Sequence, residues 1–270
     1  MKKWIFLLLF TTMIMPCMVL AEPQDNSLTG NLFGPNANRF YAGVGVSAEW
    51  LLFENKSNTL ITAPLVPAYP DVFTLSDSTM LDGAFSGFFG YQWIPTYGQY
   101  LNLFLEYDRF LSISPNGTRY AYGLSTAATS YSYSLTTQAL FVGFKYDFLS
   151  WKTLLPYGEV GLGVSQTQFK DFYNNVAYSY GYSPVMTAFP DNNTYNPAAF
   201  VGFGVDMQIT EKWLLTVGYR FEYLGDIDSG DVTSVPAPPV GSGLPLSPIH
   251  LSNRLFSNAL TSKISYLFSS

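Results

Sequence analysis

Charge is what this chain has least of: only 12% of its 270 residues are Asp, Glu, Lys or Arg, about half the share of an ordinary soluble domain. Cysteine is scarcer still. Cys17 stands alone, so disulfide scaffolds and thiolate zinc sites are excluded, and the single His250 leaves little for a histidine metal site. No metal or other cofactor is expected. Basic residues are few, 13 against 19 acidic ones; setting aside Lys2 and Lys3 leaves 11 against 19, a net charge of −8, which speaks against nucleic acid as a partner. Beyond the N-terminus no stretch of 18 apolar residues is free of charge, which excludes a helical membrane protein.

What is present is apolar and aromatic: 48% hydrophobic residues and 17% Phe, Trp and Tyr. The opening "MKKWIFLLLFTTMIMPCMVLAEPQ" has two lysines, a short apolar run broken by Pro16, and a small-residue end at Ala21. It reads as a signal peptide over 1–21, cleaved after Ala21. "MIMPC" lacks the small residues that a lipoprotein signal needs before its cysteine. Residues 22–38 read as a short periplasmic lead-in and 39–270 as one domain, with no second domain expected.

The remaining signal has period two. Eight windows, 40–53, 82–94, 100–111, 135–148, 154–166, 197–209, 213–225 and 255–268, alternate apolar with small, polar or charged residues, as strands with two different faces do. Each is long enough to cross a bilayer as a tilted strand of about 9 to 11 residues. Their connections alternate in length: 95–99, 149–153 and 210–212 are short, whereas 54–81, 112–134, 167–196 and 226–254 are long. That sorting predicts an all-β, eight-stranded antiparallel up-and-down transmembrane barrel, with short periplasmic turns and four long extracellular loops.

Parity then assigns sides. Phe40, Val44, Val46 and Trp50 face lipid while Glu49 faces inward; the same rule places Glu106, Asp108, Lys145, Asp147, Glu159, Asp206, Arg220, Glu222 and Lys263 inside. Arg109 falls outside, either at the upper rim, where a basic chain snorkels to headgroups, or displaced by a bulge after Asp108. The inward set suggests a packed charge network, because an eight-stranded barrel is just wide enough for its own side chains. Neighbouring strands offer Glu106 or Asp108 with Lys145, Lys145 with Glu159, Asp206 with Arg220, and Glu222 with Lys263; Lys263 also lies within reach of Glu49. Seven acids against three bases leave four uncompensated, so some must meet water near the mouths or keep a proton. Trp93, Trp151 and Trp213 lie at or beside the short turns and Trp50 near the other end of its strand, as interfacial aromatic belts require.

The stretches "PYGEVGLGVS" at 156–165, "FVGFGVDMQITEKWLLTVGYRFEYLGD" at 200–226 and "ALTSKISYLF" at 259–268 give the chain its likeness. It resembles the eight-stranded outer-membrane barrels of the OmpA-like and opacity-type surface protein families of Gram-negative bacteria. The resemblance covers the strands and not the long loops. It implies the bacterial outer membrane as the location, outer-membrane lipid as surroundings, and insertion by the outer-membrane assembly machinery, which reads Tyr266 and Phe268 as a terminal signal. Here Phe268 is followed by two serines, a departure from the usual terminal aromatic. No counterpart of the peptidoglycan-binding domain of longer relatives is expected, so cell-wall tethering is not expected either.

Other motifs have plainer explanations. "GVGVSA" at 43–48 matches a loose dinucleotide glycine pattern, but it lies within an alternating strand and no helix follows. His250, Ser247 and Ser252 sit in the Pro/Gly-rich "PAPPVGSGLPLSPIHLS", without the rigid scaffold that a nucleophile and base need. "DIDSGD" at 226–231 lacks the Glu that completes a calcium loop. Half of the twenty tyrosines lie in the long loops among Ser and Asn, the composition of adaptable binding surfaces, or simply of hairpins extended above the membrane. The leading expectation is a monomeric, non-enzymatic surface protein serving envelope integrity or adhesion, with a host or surface ligand bound through its loops. The alternatives are a weakly cation-preferring small-solute or OmpW-like channel and, third, a barrel enzyme acting on lipid.

Overall fold

A computed structural model describes residues 38–60, 71–96, 99–120, 128–148, 154–174, 189–231 and 250–268. It contains eleven strands: β1 (Arg39–Phe53), β2 (Ser57–Leu60), β3 (Asp71–Leu75), β4 (Thr79–Thr96), β5 (Gln99–Phe110), β6 (Asn116–Tyr120), β7 (Ala128–Asp147), β8 (Leu154–Asn174), β9 (Asn192–Gln208), β10 (Trp213–Asp228) and β11 (Ser252–Leu267). Eight of them, in the order β1, β4, β5, β7, β8, β9, β10, β11, pair antiparallel with their neighbours, and β11 returns to β1.

Registers fix the geometry of the ring. Following paired residues from Tyr41 leads through Gly90, Phe104, Gly143, Gly161, Phe200, Glu222 and Ser257 and back to the first strand at Leu51, ten residues further on. Eight strands with that stagger, at ~3.3 Å per residue and ~4.8 Å between strands, tilt by about 41° and enclose a radius of about 8 Å. Such a lumen is tight enough that the glycines within it have a steric purpose: a Cβ on Gly161 would lie 2.2 Å from the ring of Phe200.

Three strands arise within stretches expected to be loops. β2 and β3 continue β1 and β4 upward across the kinks at 54–56 and 76–78, and β6 continues β5 beyond Pro115, which has no amide hydrogen for the ladder. β6 pairs with the upper end of β7, so the first two hairpins rise as extensions of the ring. On the far side Asn253 reaches the first hairpin, its Nδ2 donating to the Asn55 carbonyl at 2.7 Å while its Oδ1 accepts from the Asn55 amide. Among the described residues, much of the extracellular part is therefore paired sheet, which covers strand backbone that would be a liability if left unpaired above the membrane.

Two bulges reorient side chains in this upper part. Asp171, at φ 53°, adds a residue to β8 opposite Tyr133, and Phe169 and Phe172 both turn inward. Gly225, at φ 88°, breaks the alternation of β10, burying both Leu224 and Ile227. Asp and Gly are among the residues that occupy this left-handed region most readily. The register of β4 and β5 runs unbroken past Asp108, so Arg109 faces outward without a bulge there. Between β9 and β10 the tight turn is held by the Thr210 hydroxyl, which accepts from the amides of Lys212 and Trp213.

Candidate functional site: a charged lumen below an aromatic tier

Interior side chains form two levels of opposite character. In the lower level Arg220 is 1% exposed. Its guanidinium meets Glu106 at 2.9 Å, Glu159 at 3.0 Å, Glu222 at 3.3 Å and Asp108 at 3.4 Å, and lies 3.9 Å from the Phe200 ring centroid. Lys263 donates to the other oxygen of Glu106. Lys145 pairs with Asp206, which also accepts from Thr216 at 2.6 Å. Asp147 accepts from Asn102 at 3.0 Å, and Glu49 accepts from the hydroxyls of Ser47 and Ser257.

Every inward charge expected from parity lies inside, but the partners differ from those that strand adjacency suggests. Lys145 pairs with neither Glu106 nor Asp108, and not with Glu159 directly across from it; it reaches over one strand to Asp206. Arg220 leaves Asp206 and gathers acids from β5, β8 and its own strand. Lys263 goes to Glu106, and not to Glu222 or Glu49. The cause is the lumen's width: at a radius of about 8 Å a long cationic side chain crosses the axis, so partners are chosen across the barrel and not only along its wall.

The upper level is apolar. Phe73, Tyr131, Tyr133, Phe169, Phe172 and Phe189 stack and abut one another with ring centroids 4.8 to 6.4 Å apart. Leu51, Phe110, Leu135, Leu224 and Leu255 floor the tier and are all buried. Burial holds the Tyr131 and Tyr133 phenols well above the ordinary tyrosine range. A buried Arg119–Asp71 pair at 2.6 Å completes it. Sequence reading missed this tier because its members fall in the presumed loops; the alternation in "DVFTL" at 71–75 was the available signal.

Small spaces interrupt these levels among the described residues. The cavity lined by Tyr41, Phe88, Phe104, Lys145 and Lys263 holds about 30 Å³, that beside Glu49, Asp108 and Arg220 about 10 Å³, and that between Leu75, Tyr131, Phe169 and Leu251 about 20 Å³. Each has room for a water or two.

Outside, the strands expose apolar side chains in a continuous band, among them Val44, Phe89, Leu105, Val142, Leu162, Phe203 and Ile264. Trp93 packs edge-on against Tyr91, and Trp213 against Tyr266, which in turn meets Phe268. Trp50 lies on the outer face near the opposite end of β1, paired with Leu81. Phe268 is exposed, its amide donating to the Phe40 carbonyl at 2.9 Å. Trp151 and Ser247 lie outside the described residues, as do the segment 1–37 and the two final serines. His250 is exposed, 3.4 Å from Asp231. In the "DIDSGD" stretch Asp228 caps its own turn by accepting from the Gly230 amide, and no metal-ligating group of three occurs among the described residues.

A closed ring with lipid-compatible residues outside and ion pairs inside is an outer-membrane barrel: closure pairs the backbone that lipid cannot solvate. No family model and no curated protein matches the chain. Solved structures similar to it include Neisserial surface protein A, 13% identical over 86% of this chain and 99% of that one, with a TM-score of 0.42. They also include the outer membrane protein OprG from Pseudomonas aeruginosa, 12% identical over 87% and 98%, TM-score 0.45. A third is the outer membrane protease OmpT from Escherichia coli, 9% identical over 89% and 100%, TM-score 0.44. Likenesses this distant concern general fold, and the three carry different descriptions.

Proposed function

We propose that this outer-membrane barrel is a non-enzymatic surface protein whose working part is the ordered sheet it raises above the membrane, and that it does not conduct. The observation that carries this reading is the double filling of the lumen. Arg220 and its four carboxylates occupy the lower level, the Phe73 to Phe189 tier occupies the upper one, and the spaces beside them hold about 10 to 30 Å³ each. With the interior filled, the outward face of the extensions remains for partners. That face presents Ser130, Ser132, Ser134 and Thr136 on β7, Gln168 and Lys170 on β8, and Asn193 on β9. Tyr173 and Tyr195 stand out among these polar residues, 63% and 72% exposed. Exposed tyrosines in a polar field on a rigid sheet offer contact area at low entropic cost, which suits adhesion or ligand capture.

The lumenal acids, the tryptophan belt and the Tyr266–Phe268 end serve stability, membrane placement and assembly in this reading. Single-channel recording in planar bilayers tests it: the expected trace is silent, and steady openings at neutral pH favour the small-solute channel. Binding of intact cells to candidate surfaces, with and without Tyr173→Ser and Tyr195→Ser, tests the surface role; equal binding by the variant assigns the tyrosines to structure alone.

A further inference from the structure

On the outer face four side chains from four consecutive ring strands form one hydrogen-bonded array. The Tyr107 hydroxyl donates to Gln138 Oε1 at 2.8 Å, Gln138 donates to Gln166, and Gln166 Nε2 donates to the Tyr195 hydroxyl at 2.8 Å. Arg109, exposed and paired in register with Gln138, flanks it and makes no ion pair among the described residues. Immediately below lie Leu105, Leu140, Val142 and Val164, all exposed members of the lipid-facing band. At a tilt of about 41°, each step from one strand to the next climbs about 3 Å, so the array from Tyr107 to Tyr195 climbs at least ~9 Å. The polar layer on one side of a bilayer is about 5 to 8 Å deep.

We infer that Arg109 and this array form a binding ridge for the phosphorylated sugar headgroup of an outer-leaflet glycolipid, a proposal that rests on the outer-membrane reading above. A cation facing outward at the top of an apolar band, with no carboxylate partner among the described residues, is complementary to the phosphate, and the planar guanidinium offers it two parallel hydrogen bonds. The glutamine amides and the Tyr195 hydroxyl, fixed in line by their mutual bonds, keep spare donors and acceptors for sugar hydroxyls. The acyl chains descend against Leu105, Leu140 and Val164. A zwitterionic lipid offers the guanidinium a phosphate too, but that headgroup carries its own cation and no sugar.

The test uses the full chain folded in detergent micelles and counts lipid retained on the protein by native mass spectrometry. The probes are bis-phosphorylated lipid A, fully dephosphorylated lipid A and phosphatidylcholine, with Arg109→Gln, Arg109→Lys and Gln166→Ala as variants. Loss of one charge-assisted bidentate contact predicts about tenfold weaker retention of bis-phosphorylated lipid A by R109Q. R109K should fall between, Q166A should lose retention of both lipid A forms, and dephosphorylated lipid A should bind wild type and R109Q alike. Equal retention of bis-phosphorylated lipid A by wild type and R109Q overturns the inference, as does preference for phosphatidylcholine. So does an R109Q chain that fails to fold, since it would give the guanidinium a structural task. Failure of the wild-type chain to show heat-modifiable migration would instead sink the barrel reading itself.

Discussion

Replacing Arg220 with methionine removes the one cation that touches Glu106, Asp108, Glu159 and Glu222 together. Removing one partner of a buried ion pair typically costs about 3 to 5 kcal/mol, because the remaining charge loses its compensation without regaining water. The contact with Phe200 at 3.9 Å adds about 1 kcal/mol or more when desolvated. A loss near 5 kcal/mol, at a urea dependence of about 2 kcal/mol per molar, moves the unfolding midpoint down by roughly 2.5 M. The assay is urea unfolding of the chain in lipid vesicles, read by the heat-modifiable shift on a gel. Glu222→Gln supplies the control: Arg220 is its ion-pair partner, and its Oε2 has no hydrogen-bond partner. In the R220M background that second change removes an orphaned charge and should recover part of the loss, whereas in the wild type it should not stabilise to the same degree. A midpoint displaced by less than about 0.5 M, or a Glu222 effect equal in both backgrounds, refutes the network as a source of stability. Conductance should stay silent in R220M, because the Phe73 tier still closes the upper end.

Lys145→Met should lower stability by about 3 kcal/mol by stranding Asp206, with bilayer conductance unchanged; unaltered heat stability counts against the pairing. Phe73→Ala, at a site 1% exposed, should cost about 3 to 5 kcal/mol and loosen the upper tier selectively. External protease should then cut the extensions while the membrane-embedded ring keeps its heat-modifiable migration; uniform resistance would show that the tier does not hold them. Tyr131 and Tyr133 are buried neutral, with phenol pKa values raised above those of the unfolded chain. Their stabilisation is complete below about pH 10 and is lost as pH rises beyond it, since the unfolded chain then gives up protons that the folded one keeps. Tyr131→Phe with Tyr133→Phe should flatten that alkaline decline in unfolding free energy, and an unchanged slope would place its origin elsewhere.

The ring was legible because lipid outside and a narrow interior impose a strict two-residue period, and nothing in β1, β5 or the lower part of β10 interrupts it. Charges were informative for the same reason: Asp206, Arg220 and Glu222 occur at inward positions only. The pairings were not legible, because they depend on which side chains meet across the axis, and neither sequence separation nor strand adjacency encodes that. The upper tier was hidden by its irregularities. Pro115 splits β5 from β6, while Asp171 and Gly225 each shift the parity, so Phe172 and Ile227 fall in the expected loops 167–196 and 226–254 although Ile227 is a core residue and Phe172 packs against the core.

Those parity shifts mark the level at which the barrel changes its solvent. Below it the outer face meets hydrocarbon, so burying apolar side chains in the lumen gains little and ion pairs there cost little by comparison. Above it the same strands stand in water, where an antiparallel ring needs an apolar interior to hold together. On β7 the change is abrupt: the outward series Phe144, Val142, Leu140 gives way to Gln138, Thr136, Ser134, while the inward series passes from Lys145 to Leu135, Tyr133 and Tyr131. One ring thus holds a core of ion pairs interleaved with Tyr41, Phe104, Phe141 and Phe200 in lipid and a mainly apolar core in water. Free hairpins of the same length would instead present open edges to every neighbouring chain. In the closed-lumen reading proposed above, the aromatic tier is therefore a condition of raising sheet above the membrane at all, and a water channel through this barrel would have to dismantle the core that supports its surface.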